Sequence, residues 1–188
     1  KLGIPYNSEH AFQIGEGVMA FVNEEARKAS CELAKIRGVF PNFEKSSYND
    51  GNPDNRLRNA TRTTIAPTGS VSIIAGCSSG IEPLFAISFL RKTPQFELLE
   101  VNPLFEKVAR QEGFYDEELM KKIAQRGSIQ DVEGIPDKVK QVFVTAMDMT
   151  PEDHIRMQAA FQKHINNAVS KTVNFPFTAT VEEVAKFT

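Results

Sequence analysis

Arg58-Asn59-Ala60-Thr61-Arg62-Thr63-Thr64-Ile65-Ala66-Pro67-Thr68-Gly69-Ser70-Val71-Ser72-Ile73-Ile74-Ala75-Gly76-Cys77-Ser78-Ser79-Gly80-Ile81-Glu82-Pro83-Leu84-Phe85-Ala86 joins a β-branched run to a Thr-Gly-Ser turn and a second, glycine-broken apolar run. Thr61 to Ala66, ended by Pro67, predicts a buried strand. Behind the proline, Thr68 and Ser70 offer hydroxyl donors, and Gly69 lets backbone approach a bulky group. The amides of Gly69, Ser70 and Val71 become the unpaired first-turn donors of a short helix, which is the layout of an anion cradle. A hydrogen bond to a charged oxygen contributes about 1.5–3 kcal/mol and a helix dipole about 0.3–1 kcal/mol, so several together hold a diphosphate without a lysine. Pro67-Thr68-Gly69-Ser70 also makes an ordinary tight turn with a cap, and spacing alone favours that plainer reading.

Outward from this segment, apolar residues recur at helical spacing from Ser8 to Ile36, with Ser8 as cap, Glu9 in the first turn and Gly38 as the stop. One long helix is expected there. Phe40 to Asn59 is rich in Asn, Asp, Ser, Gly and Pro, which predicts an exposed loop and makes it the segment most prone to disorder. Leu84 to Leu90 reads as a second strand. Pro94 to Gly113, Asp116 to Arg126 and Pro136 to Ala146 read as helices, and Thr150-Pro151-Glu152-Asp153 opens another that runs to about Asn166. Lys171 to Phe175 is a further strand candidate, and Thr180-Val181-Glu182-Glu183 is a capping box. Thr188 falls inside that last helix and the chain lacks an initiating Met, as expected of a piece of something longer.

The 188 residues are 41% hydrophobic and 24% charged, enough to bury a core. A net charge of -2, from 22 basic and 24 acidic side chains, gives no overall pull toward nucleic acid or an anionic membrane. No apolar run approaches the roughly 20 residues of a membrane helix, and Lys1-Leu2-Gly3-Ile4-Pro5 is not a signal peptide, so a cytoplasmic protein is expected. Cys31 and Cys77 have neither CxxC nor Cys/His metal spacing. His154 and His164 are ten residues apart, too far for a helical metal pair, and no metal site is assigned to them or to His10.

The run from Arg58 to Ala86 closely resembles the diphosphate-binding segment of ribonucleotide reductase large subunits, and its wording is most similar to the adenosylcobalamin-dependent, class II enzymes. Gly3-Ile4-Pro5-Tyr6-Asn7-Ser8 with the long helix, and His154 to His164 leading to Ser170-Lys171-Thr172-Val173-Asn174-Phe175-Pro176, agree with it. Gln95 to Gln141 matches no specific motif. The resemblance implies an α/β fold, a helix-rich fragment with a few strands from the later part of a ten-stranded α/β barrel, with residues 1–188 as a single, incomplete domain. It implies that Thr68, Gly69, Ser70, Val71 and Ser72 bind the substrate phosphates. For the whole enzyme it implies reduction of ribonucleoside diphosphates or triphosphates by a thiyl radical, adenosylcobalamin as cofactor, a thioredoxin-like reductant and nucleotide effectors, with a homodimer as one possible assembly.

The family's Asn-x-Cys-x-Glu arrangement and its reducing cysteine pair are absent from this chain, so no catalytic residue is assigned. Cys77, in Gly76-Cys77-Ser78-Ser79-Gly80, is expected to pack behind the phosphate loop, and Cys31 to sit in the core. Glu82 suits a structural role, accepting backbone amides, since a phosphate site repels a carboxylate. Arg58, Arg62 and Arg91 flank the cradle as possible compensating charge, with Arg91-Lys92 read as a solvated strand end. Gln158, Gln162 and Asn166 fall on one side of their helix, either bonding inside the barrel or forming an exposed stripe. Two rivals stand beside this reading: an iron-dependent class I reductase with the same loop, and a non-catalytic phosphate-binding module. The 188-residue chain by itself is expected to form no deoxyribonucleotide; detectable reduction by the purified chain contradicts the reading.

Overall fold

Helix α1, Glu9–Arg37, begins where Ser8 accepts the amide of Ala11 (3.2 Å) and ends where Gly38, at φ 76°, donates to the Ala34 carbonyl. Lys35 and Arg37 occupy the last turn, complementing the helix dipole. These residues belong to a computed structural model that describes residues 2–92 and 96–187. Phe12, Gly15 and Met19 form the buried face of α1 and lie against helix α6, Pro151–Gln162. Gly15 lets α6 approach α1 tightly: a Cβ there would lie 2.7 Å from the Phe161 ring. Ion pairs from Arg156 to Glu9 and from Lys163 to Glu16 (2.8 Å) fasten the same two helices at their edges.

The polar stretch 40–59, expected to be an exposed loop prone to disorder, is instead anchored against α1 by packed apolar residues. Phe40, Phe43 and Leu57 bury together beside α1, and Leu57 is fully enclosed. The Asn and Asp side chains are spent on local turns, Asp50 accepting from the Asn52 amide and Asn52 from the Asp54 amide. Composition averaged over twenty residues conceals three well-spaced apolar anchors. Cys31 is half-buried at this cluster, its thiol 3.0 Å from the Asp54 carbonyl.

The strand expected at Thr61–Ala66 is extended but forms a single parallel bridge, Ile65 with Val169. Ile65 donates to Ala168 (3.3 Å), Ser170 to Ile65 (2.8 Å) and Asn167 to Thr63 (3.2 Å). The partner therefore lies at 167–170, and Lys171–Phe175 forms no strand. For the same reason α6 stops at Gln162 instead of Asn166. Past that point the chain runs alongside Thr63–Ile65, and the Gln162 side chain bonds the Asn167 carbonyl (2.8 Å) and the Val169 amide (3.1 Å). Gln158 donates to Val169 and Asn166 accepts from Arg62, so the amide side chains of α6 and the following turn bond internally.

Further along, Leu84 makes an isolated bridge to Thr145, and the regular strand is shifted to β1, Ser88–Lys92, antiparallel to β2, Glu97–Val101. The helix expected from Pro94 is thus replaced in its first half by a strand. Glu-Leu-Leu-Glu is compatible with a helix, but pairing with β1 overrides that local preference; Pro94 itself lies outside the described residues. Helix α3, Pro103–Gln111, starts only at Asn102, whose side chain accepts from Leu104 and Phe105. It packs with α4, Glu117–Arg126, around Phe105, Ala109, Met120 and Ile123. Helix α5, Asp137–Val142, is shorter than expected because Thr145 is drawn into its bridge with Leu84 and capped by Asp148. The remaining helices are the seven-residue α2, Gly69–Ala75, and α7, Val181–Ala185.

Gly15→Ala in the intact protein is expected to force α1 and α6 apart and destabilise it by about 1–3 kcal/mol. Gly17→Ala, on the same helix with nothing within 4 Å of the new Cβ, is expected to stabilise by about 0.5–1 kcal/mol. Denaturant midpoints of the two variants, moving in opposite directions, check the helix contact.

Candidate functional site

The segment after Pro67 turns on Thr68, whose φ of 52° makes it the one non-glycine residue with positive φ among the described residues. A β-branched residue held in the left-handed region costs free energy, and such outliers concentrate at binding sites. The kink aims the first turn of α2 outward. The amides of Gly69, Ser70 and Val71 have no hydrogen-bond partner among the described residues, and all three residues are exposed. A Cβ built on Gly69 meets nothing within 4 Å.

Ser72 behaves differently from its neighbours. Its amide bonds the Thr68 carbonyl (2.9 Å), and its buried hydroxyl lies 2.8 Å from the Gly69 carbonyl and 2.9 Å from the Ser79 hydroxyl. It braces the loop from within, which removes its donors from a ligand. Thr68 accepts the Gly80 amide at its hydroxyl oxygen (2.9 Å), leaving the hydroxyl proton to point elsewhere. Gly80, at φ 48°, passes so close to the incoming arm that a Cβ would lie 3.2 Å from Ile65 and 3.3 Å from the Ala66 carbonyl. Cys77 is exposed, not packed behind the loop, because the turn from Gly76 to Ser79 carries it outward. Two clefts lie elsewhere, one between α1 and Pro53–Arg56 and one between Met149 and Phe175.

At the foot of the loop's outgoing arm, starting two residues beyond Gly80, lies a charged cluster that the linear sequence does not announce. Lys171, its side chain fully buried, donates to Glu82 (2.6 Å), and the other Glu82 oxygen accepts the Thr172 amide (2.6 Å). His154 is fully enclosed, with Nδ1 2.7 Å from Lys171 Nζ and Nε2 3.1 Å from the Ala146 carbonyl. Burial, then the neighbouring Lys171, lowers the His154 pKa below its ordinary 6.5. The Tyr6 phenol donates to the Ile81 carbonyl (2.5 Å); burial chiefly, then the charge of Glu82, pushes its pKa up. Glu82 thus takes the structural role its chemistry suggested. Arg58 donates to the Val39 carbonyl and Arg91 pairs with Glu100, so both are engaged away from the loop. Among the described residues, no three His, Cys, Asp or Glu side chains converge as a metal site would require, and no helix is long and apolar enough to cross a membrane.

Residues 1–188, the whole chain, match the family profile described as ribonucleotide reductase, barrel domain. The chain belongs to that family. The reductase segment is 51% identical over 187 residues to a vitamin B12-dependent ribonucleoside-diphosphate reductase of Thermoplasma acidophilum, covering 99% of this chain and 24% of that protein. It is 48% identical over 183 residues to a protein of the same description from Mycobacterium tuberculosis, covering 97% and 26%. In three dimensions it is similar to the class Id ribonucleotide reductase alpha subunit of Actinobacillus ureae, with TM-score 0.70 and 30% identity over 87% of this chain and 28% of that one. The chain therefore spans about a quarter of the length of these relatives. It is a helix-rich piece of the reductase α/β barrel, which is the expected fold class.

An unfolded histidine titrates near 6.5 and the enclosed His154 lower, so between the two values only the unfolded chain takes up the proton. Stability is then full above the unfolded value, falls as pH drops below it, and levels off below the folded value. The melting temperature of the intact reductase is expected to fall as pH drops below about 6.5, and His154→Gln to flatten that fall. An identical pH profile in the variant contradicts this.

Proposed function

We propose that this chain supplies the substrate-phosphate grip of a ribonucleotide reductase that converts ribonucleotides to 2′-deoxyribonucleotides by thiyl-radical chemistry. The observation that carries the reading is the row of unpartnered amides at Gly69, Ser70 and Val71, in a chain whose family acts on nucleotides. The proposed donors are those three amides and the hydroxyls of Thr68 and Ser70. Ser72 drops out as a direct ligand and becomes the brace of the loop. All 188 residues, in this reading, are part of one barrel domain whose radical and reducing cysteines lie outside this chain.

The grip needs no cation of its own. Amides fixed by a strained turn require no reorganisation when a diphosphate arrives, and neutral donors hold the anion without the strong pairing that would slow its release. Anchoring the phosphates on a rigid loop sets the position of the ribose, and such positioning is how a remote contact contributes to rate.

Adenosylcobalamin is the proposed cofactor, supported by the vitamin B12-dependent description of the relatives at 51% and 48% identity. When bound, it initiates the radical. Both ring nitrogens of the buried His154 are already engaged, so this histidine is not free to hold the cofactor. No step in this segment runs through the cofactor. The fold alone does not separate cofactor classes, because the similar Actinobacillus ureae subunit carries a different class label. The same reading gives the whole enzyme a thioredoxin-like reductant, nucleotide effectors and a cytoplasmic location.

Gly69→Val in the full-length enzyme is expected to weaken nucleoside diphosphate binding about tenfold to a hundredfold, the loss of one or two hydrogen bonds to charged oxygen. Because the new side chain meets open space, the melting temperature is expected to change little. Unaltered affinity by calorimetric titration overturns the loop assignment.

A further inference from the structure

The two arms of the phosphate loop are held in different ways. The incoming arm, Thr63–Ile65, is held by backbone pairing to 167–170. The outgoing arm, Gly80–Glu82, is held by side chains: Thr68 takes the Gly80 amide, Tyr6 donates to the Ile81 carbonyl, and both oxygens of Glu82 are engaged by Lys171 and Thr172. Lys171 has three acceptors for its three protons, namely Glu82, His154 Nδ1 and the Thr172 carbonyl at 2.5 Å. His154 Nε2 faces the Ala146 carbonyl, where only an N–H makes a bond, so Nδ1 is left as the acceptor for Lys171. The three Lys171 protons and both His154 ring nitrogens are therefore matched, while the Glu82 carboxylate keeps a quarter of its surface open to solvent.

We propose that Lys171 is a positioning residue for the phosphate loop, holding its outgoing arm through Glu82 and neutralising that carboxylate beside a site for an anionic substrate. This deepens the phosphate-loop reading and rests on it. Glu82 lies two residues beyond Gly80, whose amide is bonded to Thr68, so an unbalanced carboxylate at this place repels an arriving diphosphate. With Lys171 in place the pair presents no net charge. Removing one partner of a pair whose lysine is fully buried and whose carboxylate is mostly so strands the other, whereas removing both restores neutrality. Each single substitution accordingly leaves a charge of opposite sign next to the loop.

The test uses the full-length enzyme, nucleoside diphosphate as substrate and inorganic pyrophosphate as competing probe. Lys171→Met is expected to raise KM and the pyrophosphate inhibition constant together by about tenfold, with kcat changed by less than about threefold. Glu82→Gln is expected to shift the pyrophosphate constant the other way, toward tighter binding. The double variant should return to within about threefold of the parent. A purely structural role predicts weaker binding from both single variants, and that result overturns the inference. Where Lys171→Met does not fold, Glu82→Gln decides alone, weaker pyrophosphate binding overturning the proposal. Gly69→Val run in parallel separates the two claims. If it weakens pyrophosphate binding while folded Lys171→Met does not, positioning fails and the loop stands; if it has no effect, both fall.

Discussion

Three consecutive amides, those of Gly69, Ser70 and Val71, leave the first turn of α2 with no carbonyl in the described chain to receive them. Helix starts always have such orphan donors, and most proteins satisfy them with a capping side chain. Thr68 declines that role. It sits in the left-handed region, makes no side-chain cap, and accepts instead from Gly80 across the loop. The free energy forgone at this turn has a ready explanation if a ligand completes it.

The surrounding structure keeps that turn rigid. A parallel bridge fixes the incoming arm, Ser72 ties Gly69 to Ser79 underneath, and the Glu82–Lys171 pair fixes the outgoing arm. The platform for both arms is the segment 166–172, itself held by the amide side chains of Gln158 and Gln162 and by the packing of α6 on α1. Long helix, polar side chains and strained turn thus form one chain of support. Its components lie as far apart in sequence as Glu9 and Arg156, which meet in an ion pair.

Features determined locally were legible in the sequence. The start of α1 at Ser8, of α4 at Asp116 and of α6 at Thr150 follow from capping chemistry within a single turn, and each is found at the expected residue. Features determined at a distance were not. Thr63–Ile65 has its partner about a hundred positions away, and Glu97–Val101 reads as helix until β1 is placed beside it. In the site, the exposure of Gly69, Ser70 and Val71 follows from a short helix after proline, but the inward turn of Ser72 depends on Ser79. Nothing in Ser170-Lys171-Thr172 marks Lys171 for full burial, because the carboxylate that makes it tolerable is 89 positions earlier.

The proposed function requires the turn after Pro67 to face the phosphates of a nucleotide. A crystal structure of the intact enzyme with a ribonucleoside diphosphate measures it most directly. Phosphate oxygens are expected within about 3 Å of the amide nitrogens of Gly69, Ser70 and Val71. Phosphates bound elsewhere, with those amides facing water or carbonyls of the completed barrel, would contradict it.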